Sequence, residues 1–140
     1  MTTSRLESIQ AGDELASREF TPDNIQLMMY NAALWNAHRI HYDLPYVTEV
    51  EHYPGLVTPG PLLGDWLSQC VTDWLGDDGT LVSFEYSNRK ASYSGEKLFS
   101  GGQVVSVDKA SGLVKLETFI KDEAGDNISP GFATVLISPT

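Results

Sequence analysis

Leu62-Leu63-Gly64-Asp65-Trp66-Leu67-Ser68-Gln69-Cys70-Val71-Thr72-Asp73-Trp74-Leu75 is the stretch on which the fold turns. Asp65, Ser68, Gln69, Thr72 and Asp73 recur at helical spacing and make one polar stripe. Leu63, Trp66, Leu67, Cys70, Val71 and Trp74 fill the remainder. A helix apolar over so much of its surface is wrapped by other elements rather than laid on top of one. Gly64 lies inside it, where glycine costs about 1 kcal/mol against alanine, and close backbone packing is the expected reason. Gly76 follows as the natural stop, with Asp77-Asp78-Gly79 as the turn after it.

Beyond Gly79 the period changes from helical to alternating. Val82, Phe84 and Tyr86 are expected on one face of a strand. Val114, Leu116, Thr118 and Ile120 share a face further on, as do Ala133, Val135 and Ile137. Gln103 to Asp108 supplies another strand, followed by a hairpin turn at Lys109-Ala110-Ser111-Gly112 and a further turn at Glu123-Ala124-Gly125-Asp126-Asn127. Upstream of the long helix, Tyr53 to Pro61 reads as turns with apolar insertions. Met1 to Ala11 reads as a loose lead-in, and Glu14 to Phe20 as a short strand. Thr21-Pro22-Asp23 has the chemistry of a helix start, with Thr21 as the cap. Ile25, Met28, Met29 and Ala32 then recur at i, i+3, i+4, i+7 and predict the buried face of that helix, which frays near Trp35 to Ala37. A helix, a buried helix and then a run of antiparallel strands is α+β. No linker or repeat divides residues 1–140, so one domain is expected.

Composition bounds the function. The chain has 140 residues, 41% of them hydrophobic, enough for a core and unlike a disordered tail. No apolar run approaches the roughly 20 residues that span a bilayer, and no basic-then-apolar leader opens the chain. A net charge of −10 with no basic stripe argues against nucleic acid. Cys70 is the single cysteine, so no internal disulfide forms, which fits a reducing, cytoplasmic setting. Its place on the apolar stripe predicts a buried, inert thiol.

Tyr30-Asn31-Ala32-Ala33-Leu34-Trp35-Asn36-Ala37-His38-Arg39-Ile40-His41-Tyr42-Asp43 gathers an amide, two of the chain's three histidines, an arginine and an aspartate at a helix end. Polar groups at the end of an element are better placed for chemistry than for packing, and histidine is suited to proton transfer near neutrality. Asn36 and His41 stand five residues apart around that end, so both are expected to point into one cleft. Gly60 lies at the start of the buried helix, where free N–H groups and the positive dipole end suit a developing oxyanion.

Asn36 to Asp43 resembles a motif of the MaoC-like hotdog family of acyl dehydratases, in the subgroup that runs asparagine, x, histidine, arginine, isoleucine, histidine, tyrosine, aspartate. Tyr46 to Pro61 resembles the same subgroup's proline-glycine-leucine-valine and glycine-proline pattern. The resemblance covers about a quarter of the chain closely. It implies one hotdog domain over residues 1–140, with an antiparallel sheet wrapped around a central helix. It also implies reversible hydration of a 2-enoyl thioester carried on coenzyme A or acyl carrier protein. His41 matches the family's catalytic histidine, and Asn36 occupies the place of its aspartate. An amide orients a water but cannot take its proton, so His41 carries more of the proton transfer. Gly60 matches the glycine whose N–H polarises the thioester carbonyl. The subgroup usually has histidine just before that glycine, and this chain has Pro59. No cofactor is implied, coenzyme A being part of the substrate. A homodimer or a mixed hotdog oligomer is expected, because the family's site lies between two units.

His38 and Asp43 are expected to support the loop. Arg39 is a candidate for a phosphate of the carrier, against the alternative that it pairs with an acidic neighbour, and Arg89 and Lys90 form a small basic island as candidates for a pantetheine-phosphate contact. His38, His41 and Asp43 make a poor metal site, lacking a fourth ligand and a second shell. No glycine-flanked serine elbow supports Ser-His-Asp catalysis. Two other functions stay open: a non-catalytic or half-catalytic subunit of a mixed hotdog assembly, and a thioesterase on the same fold.

Overall fold

The computed structural model describes residues 4–139. Their elements are α1 (Arg5–Ser8), β1 (Glu14–Phe20), α2 (Asn24–Ala33), a 3-10 turn at Arg39–His41, α3 (Leu44–Glu49), α4 (Gly60–Leu75), β2 (Gly79–Tyr86), β3 (Leu98–Asp108), β4 (Leu113–Lys121) and β5 (Asn127–Ile137). The strands form one antiparallel sheet in the order β1-β3-β4-β5-β2. Helix α4 packs against it and contacts every strand. This is the hotdog architecture, α+β with the apolar helix inside the sheet.

The alternation in β4 and β5 explains the packing. Val114, Leu116, Thr118 and Ile120 are all buried, as are Ala133, Val135 and Ile137. Cys70, Val71 and Leu75 of α4 join Val104, Val114 and Val135 in one cluster. Leu62, Leu63, Trp66 and Leu67 join Leu98, Ile120 and Ile128 in a second. Each aliphatic side chain so buried contributes roughly 1.5–3 kcal/mol. The second cluster also takes in Leu27, Val47 and Leu56, which ties the segment between β1 and α4 onto the first half of the helix. Cys70 is buried, as expected, and burial raises its thiol pKa.

Gly64 is explained by a side chain rather than a backbone. A Cβ there would come 2.6 Å from Tyr86 Cε1, so the phenol ring lies directly on the helix. Gly76 ends α4 with φ 59° and donates its N–H to the Thr72 carbonyl at 2.9 Å. Among the described residues no helix is long and apolar enough to cross a membrane.

Several expectations need correction. The buried face of α2 is Leu27 and Asn31 with Tyr30 partly covered, whereas Ile25, Met28 and Met29 are exposed and Ala32 lies at the surface. Two overlapping stripes share the helical period, and the tertiary bond from Tyr30 Oη to Asp65 Oδ2 at 2.6 Å selects the first. Asp23, not Thr21, caps this helix, its Oδ1 accepting the Gln26 N–H at 2.8 Å. Asp23→Ala is expected to cost about 1 kcal/mol, read as a melting temperature lower by a few degrees. Val82 points outward because β2 shifts register between Leu81 and Ser83, so Leu81 takes its place on the core side. Strand β3 begins at Leu98, five residues before the expected start, because Gly101 and Gly102 are accommodated beside β4. The lead-in contains α1, and α3 follows the histidine segment; both are too short to leave a periodic signal.

Candidate active site

The histidine segment is built by short local bonds. After α2, Trp35 adopts a left-handed φ of 54° and the chain turns sharply. Asn36 Oδ1 accepts the His38 N–H at 3.1 Å, and His38 Nδ1 accepts the Ile40 N–H at 3.4 Å, starting the 3-10 turn that carries His41. Asp43 ends the turn and caps α3, accepting the Tyr46 N–H at 3.1 Å. The same carboxylate pairs with Arg39 at 2.8 Å, and the guanidinium lies over the Tyr46 ring at 4.2 Å. The Tyr46 N–H first, and Arg39 second, hold the Asp43 carboxyl below its ordinary pKa.

One extended segment, Leu56 to Thr58, joins this turn to the rest of the site. The Val57 N–H donates to the Ile40 carbonyl at 3.0 Å, and the Thr58 N–H to the Ser92 carbonyl at 2.8 Å. His41 is buried, with Nδ1 2.7 Å from the Val57 carbonyl. A carbonyl only accepts, so this partner assigns the proton to Nδ1 and leaves Nε2 with its lone pair. Burial lowers the His41 pKa below the ordinary 6.5, with His38 adding to the effect and the Val57 bond opposing it. The imidazole is therefore neutral at pH 7, with the Nε2 lone pair free of a proton. The His38 ring sits edge-on to it, centroids 5.7 Å apart.

Gly60 is the first residue of α4. Pro59 offers no side-chain cap, Pro61 has no N–H, and the N–H groups of Leu62 and Leu63 both donate to the Pro59 carbonyl. Among the described residues the Gly60 N–H has no such acceptor, and it lies at the positive end of a sixteen-residue helix.

A cavity of about 330 Å³ brings His41 and Gly60 together with Thr58, Asn88, Arg89 and Ser92. Asn36 does not line it. With Trp35 and Ala37, Asn36 borders a separate concavity. Arg39 and Asp43 are occupied with each other at the loop surface. Lys90 is held by Asp122 and Asp126 at 2.6 and 2.8 Å, whereas Arg89 has no ion pair among the described residues. Two larger concavities, about 390 and 420 Å³, lie on the sheet and contain no histidine. Among the described residues no three His, Cys, Asp or Glu side chains group as metal ligands do.

Thr58, Asn88 and Ser92 also line this cavity, and nothing in the sequence singles them out. Asn88 and Ser92 come from the loop after β2, far along the chain from His41. Serine and asparagine in loops are too ordinary to signal chemistry. The aromatic residues Trp35, Tyr42 and Tyr53 of this region are exposed.

The family model described as hydroxyacyl-thioester dehydratase type 2 matches residues 2–94. A mitochondrial hydroxyacyl-thioester dehydratase type 2 of Schizosaccharomyces pombe is 52% identical over 44 residues, 31% of this chain and 15% of that protein. Mesaconyl-C(4)-CoA hydratase of Chloroflexus aurantiacus is 51% identical over 47 residues, 34% of this chain and 17% of its own. The matched stretch thus spans less than a fifth of either relative. Among solved structures, the (R)-hydratase from A. caviae involved in PHA biosynthesis superposes with a TM-score of 0.85 at 16% identity, over 94% of this chain and 99% of that one. At that identity the likeness establishes the fold.

Proposed function

The chain belongs to the hydroxyacyl-thioester dehydratase type 2 family, and from that membership we propose that it interconverts a 2-enoyl thioester and its 3-hydroxyacyl thioester by adding or removing water. The observation that carries the proposal is the His41 Nδ1–H bond to the Val57 carbonyl, in a cavity shared with Gly60. It leaves a neutral Nε2 as base beside a backbone donor.

In the hydration direction, Nε2 takes a proton from water as the water oxygen bonds to C3. The electrons of the double bond move toward the thioester carbonyl, whose oxygen gains negative charge near the Gly60 N–H. The proton on Nε2 then passes to C2. Dehydration runs the same steps backward. Of the two cations lining the cavity, Arg89 is the one suited to a phosphate of the carrier, since Lys90 is paired with Asp122 and Asp126. Asn36, bonded to the His38 N–H, holds the loop that presents His41.

The test is a panel of 2-enoyl-CoA esters, including a short dicarboxylate, with absorbance of the conjugated double bond as readout. Release of free thiol without loss of the double bond would instead show thioester hydrolysis. The acid limb of kcat/KM should lie below pH 6.5, the ordinary histidine value, because the buried His41 resists protonation. Activity is retained above that limb and lost as the pH falls through the lowered pKa. An acid limb above pH 7 would count against His41 as the base.

A second reading is the half-catalytic subunit of a mixed assembly, favoured by Asn36 standing outside the cavity. We propose that a second hotdog unit completes the site, either a copy of this chain or a related one. Measuring assembly mass in the sample used for turnover separates the two: a homo-oligomer that turns over alone excludes the half-catalytic reading.

A further inference from the structure

The geometry points to Asn88 as a second hydrogen-bond donor to the thioester oxygen, a role that rests on the hydratase reading above. A Cβ on Gly60 would fall inside contact distance of Asn88 Nδ2, with Asn88 Cγ 3.1 Å away. The carboxamide therefore lies directly over the Gly60 Cα. Standard backbone dimensions then put Nδ2 within roughly 5 Å of the Gly60 nitrogen. Two N–H donors at that separation can converge on one oxygen about 2.9 Å from each.

The amide is oriented from its other end. The Ser129 hydroxyl, wholly buried, donates to Asn88 Oδ1 at 2.8 Å and shares its hydrogen with the Ser87 carbonyl at 3.0 Å. With Oδ1 engaged on β5, Nδ2 is the end left facing Gly60. This is how a loop side chain acquires a fixed direction: a buried partner holds one atom and leaves the other to the ligand.

The start of a helix alone would be a weak basis for a ligand site. Here the cavity wall supplies an independent observation. Thr58 and Ser92, 4% and 1% exposed, line the same cavity, and their hydroxyl oxygens have no hydrogen-bond partner. Buried polar atoms without partners are rare in folded proteins and mark places where a ligand or water completes them. The chain also carries Pro59 where the resemblance has histidine, so a polar group is missing on one side of Gly60. Asn88 stands beside the same glycine and comes from a different element.

The experiment reads the carbonyl directly and does not depend on turnover. Butanoyl-CoA labelled with carbon-13 at its carbonyl is bound to the full chain, and the shift of its carbonyl stretch is measured alongside the kinetics of 2-butenoyl-CoA hydration. In the wild type the stretch should move to lower frequency. Asn88→Ala should return it part of the way and lower kcat about 100-fold. Asn88→Asp removes the donor while keeping the shape, and should be the worse of the two because a carboxylate opposes charge developing on the oxygen. His41→Ala should abolish turnover yet keep the shifted stretch. Asn88→Ala with wild-type kcat and an unchanged stretch overturns the role of Asn88 and leaves the hydratase reading standing. Activity retained in Asn88→Asp overturns the donor role as well. A wild-type chain that neither binds acyl thioesters nor polarises their carbonyl overturns both readings.

Discussion

Replacing His41 with alanine is expected to cut turnover of an enoyl thioester about a thousandfold or more, the upper part of the range for loss of a general acid–base group. The structure shows how to separate this from a folding effect. His41 is buried, and its Nδ1–H satisfies the Val57 carbonyl at 2.7 Å. Alanine removes that bond along with the base, and leaving the partly buried carbonyl without a partner costs about 1 kcal/mol or more. His41→Asn is the sharper variant, because an amide N–H can reach the Val57 carbonyl while nothing replaces Nε2. It should melt closer to the wild type and remain as inactive as the alanine variant. His38→Ala in the same assay should lose far less, since that ring caps the turn and does not line the cavity. Circular dichroism melts and initial rates on the three variants decide the matter. Turnover by His41→Asn within tenfold of wild type would remove His41 from the chemistry.

Gly60→Ala is expected to produce the second-largest effect, a fall in kcat of about a hundredfold or more with little change in stability. Alanine is a better helix former than glycine, so the first turn of α4 does not suffer. The N–H of residue 60 also remains. What changes is space, since the new Cβ falls where the Asn88 carboxamide lies and must push it aside. The substitution therefore displaces a neighbouring donor and crowds the position of the thioester oxygen. A double variant, Gly60→Ala with Asn88→Ala, should be no worse than the product of the single losses and is expected to be better, because removing the carboxamide relieves the clash. Gly60→Ala with a normal kcat would mean that the carbonyl binds elsewhere.

The parts of the fold that could be read in advance share a physical character. The buried helix was legible because its polar residues fall on one narrow stripe. The faces of β4 and β5 were legible because four and three alternating residues leave no other register. Local chemistry also marked the Gly76 stop and the Lys109 to Gly112 hairpin turn, beside which the Asp108 carboxylate accepts the Ala110 N–H at 3.0 Å. The failures have a common cause as well. Ile25, Met28 and Met29 have the period of a core face, and so do Leu27, Tyr30 and Asn31; only contact with α4 distinguishes them. Val82 was misplaced because a register shift in β2 depends on its pairing with β5.

The site divides in the same way. His41 and Gly60 stood out as candidates, one from residue type at a helix end and the other from its place at a helix start, and the fold puts both on one cavity. Asn36 was expected in the same cleft, since it precedes His41 by one turn and a half. A left-handed residue at Trp35 and the bond to the His38 N–H set it in a separate concavity. Thr58, Asn88 and Ser92 carry no local signal, because segments distant in sequence bring them together, the Thr58 N–H donating to the Ser92 carbonyl. Asn88 is held by Ser129, 41 residues further along the chain.

Periodicity and residue chemistry act over a turn or a few residues, which is why the central helix, the strand faces and the polar histidine segment were already present in the amino-acid order. Which nitrogen of His41 is free, which amide stands beside Gly60, and which arginine remains unpaired depend on carbonyls, hydroxyls and carboxylates brought in from other strands and loops. Those partners become neighbours only once the sheet has closed around α4, so tertiary packing decided them.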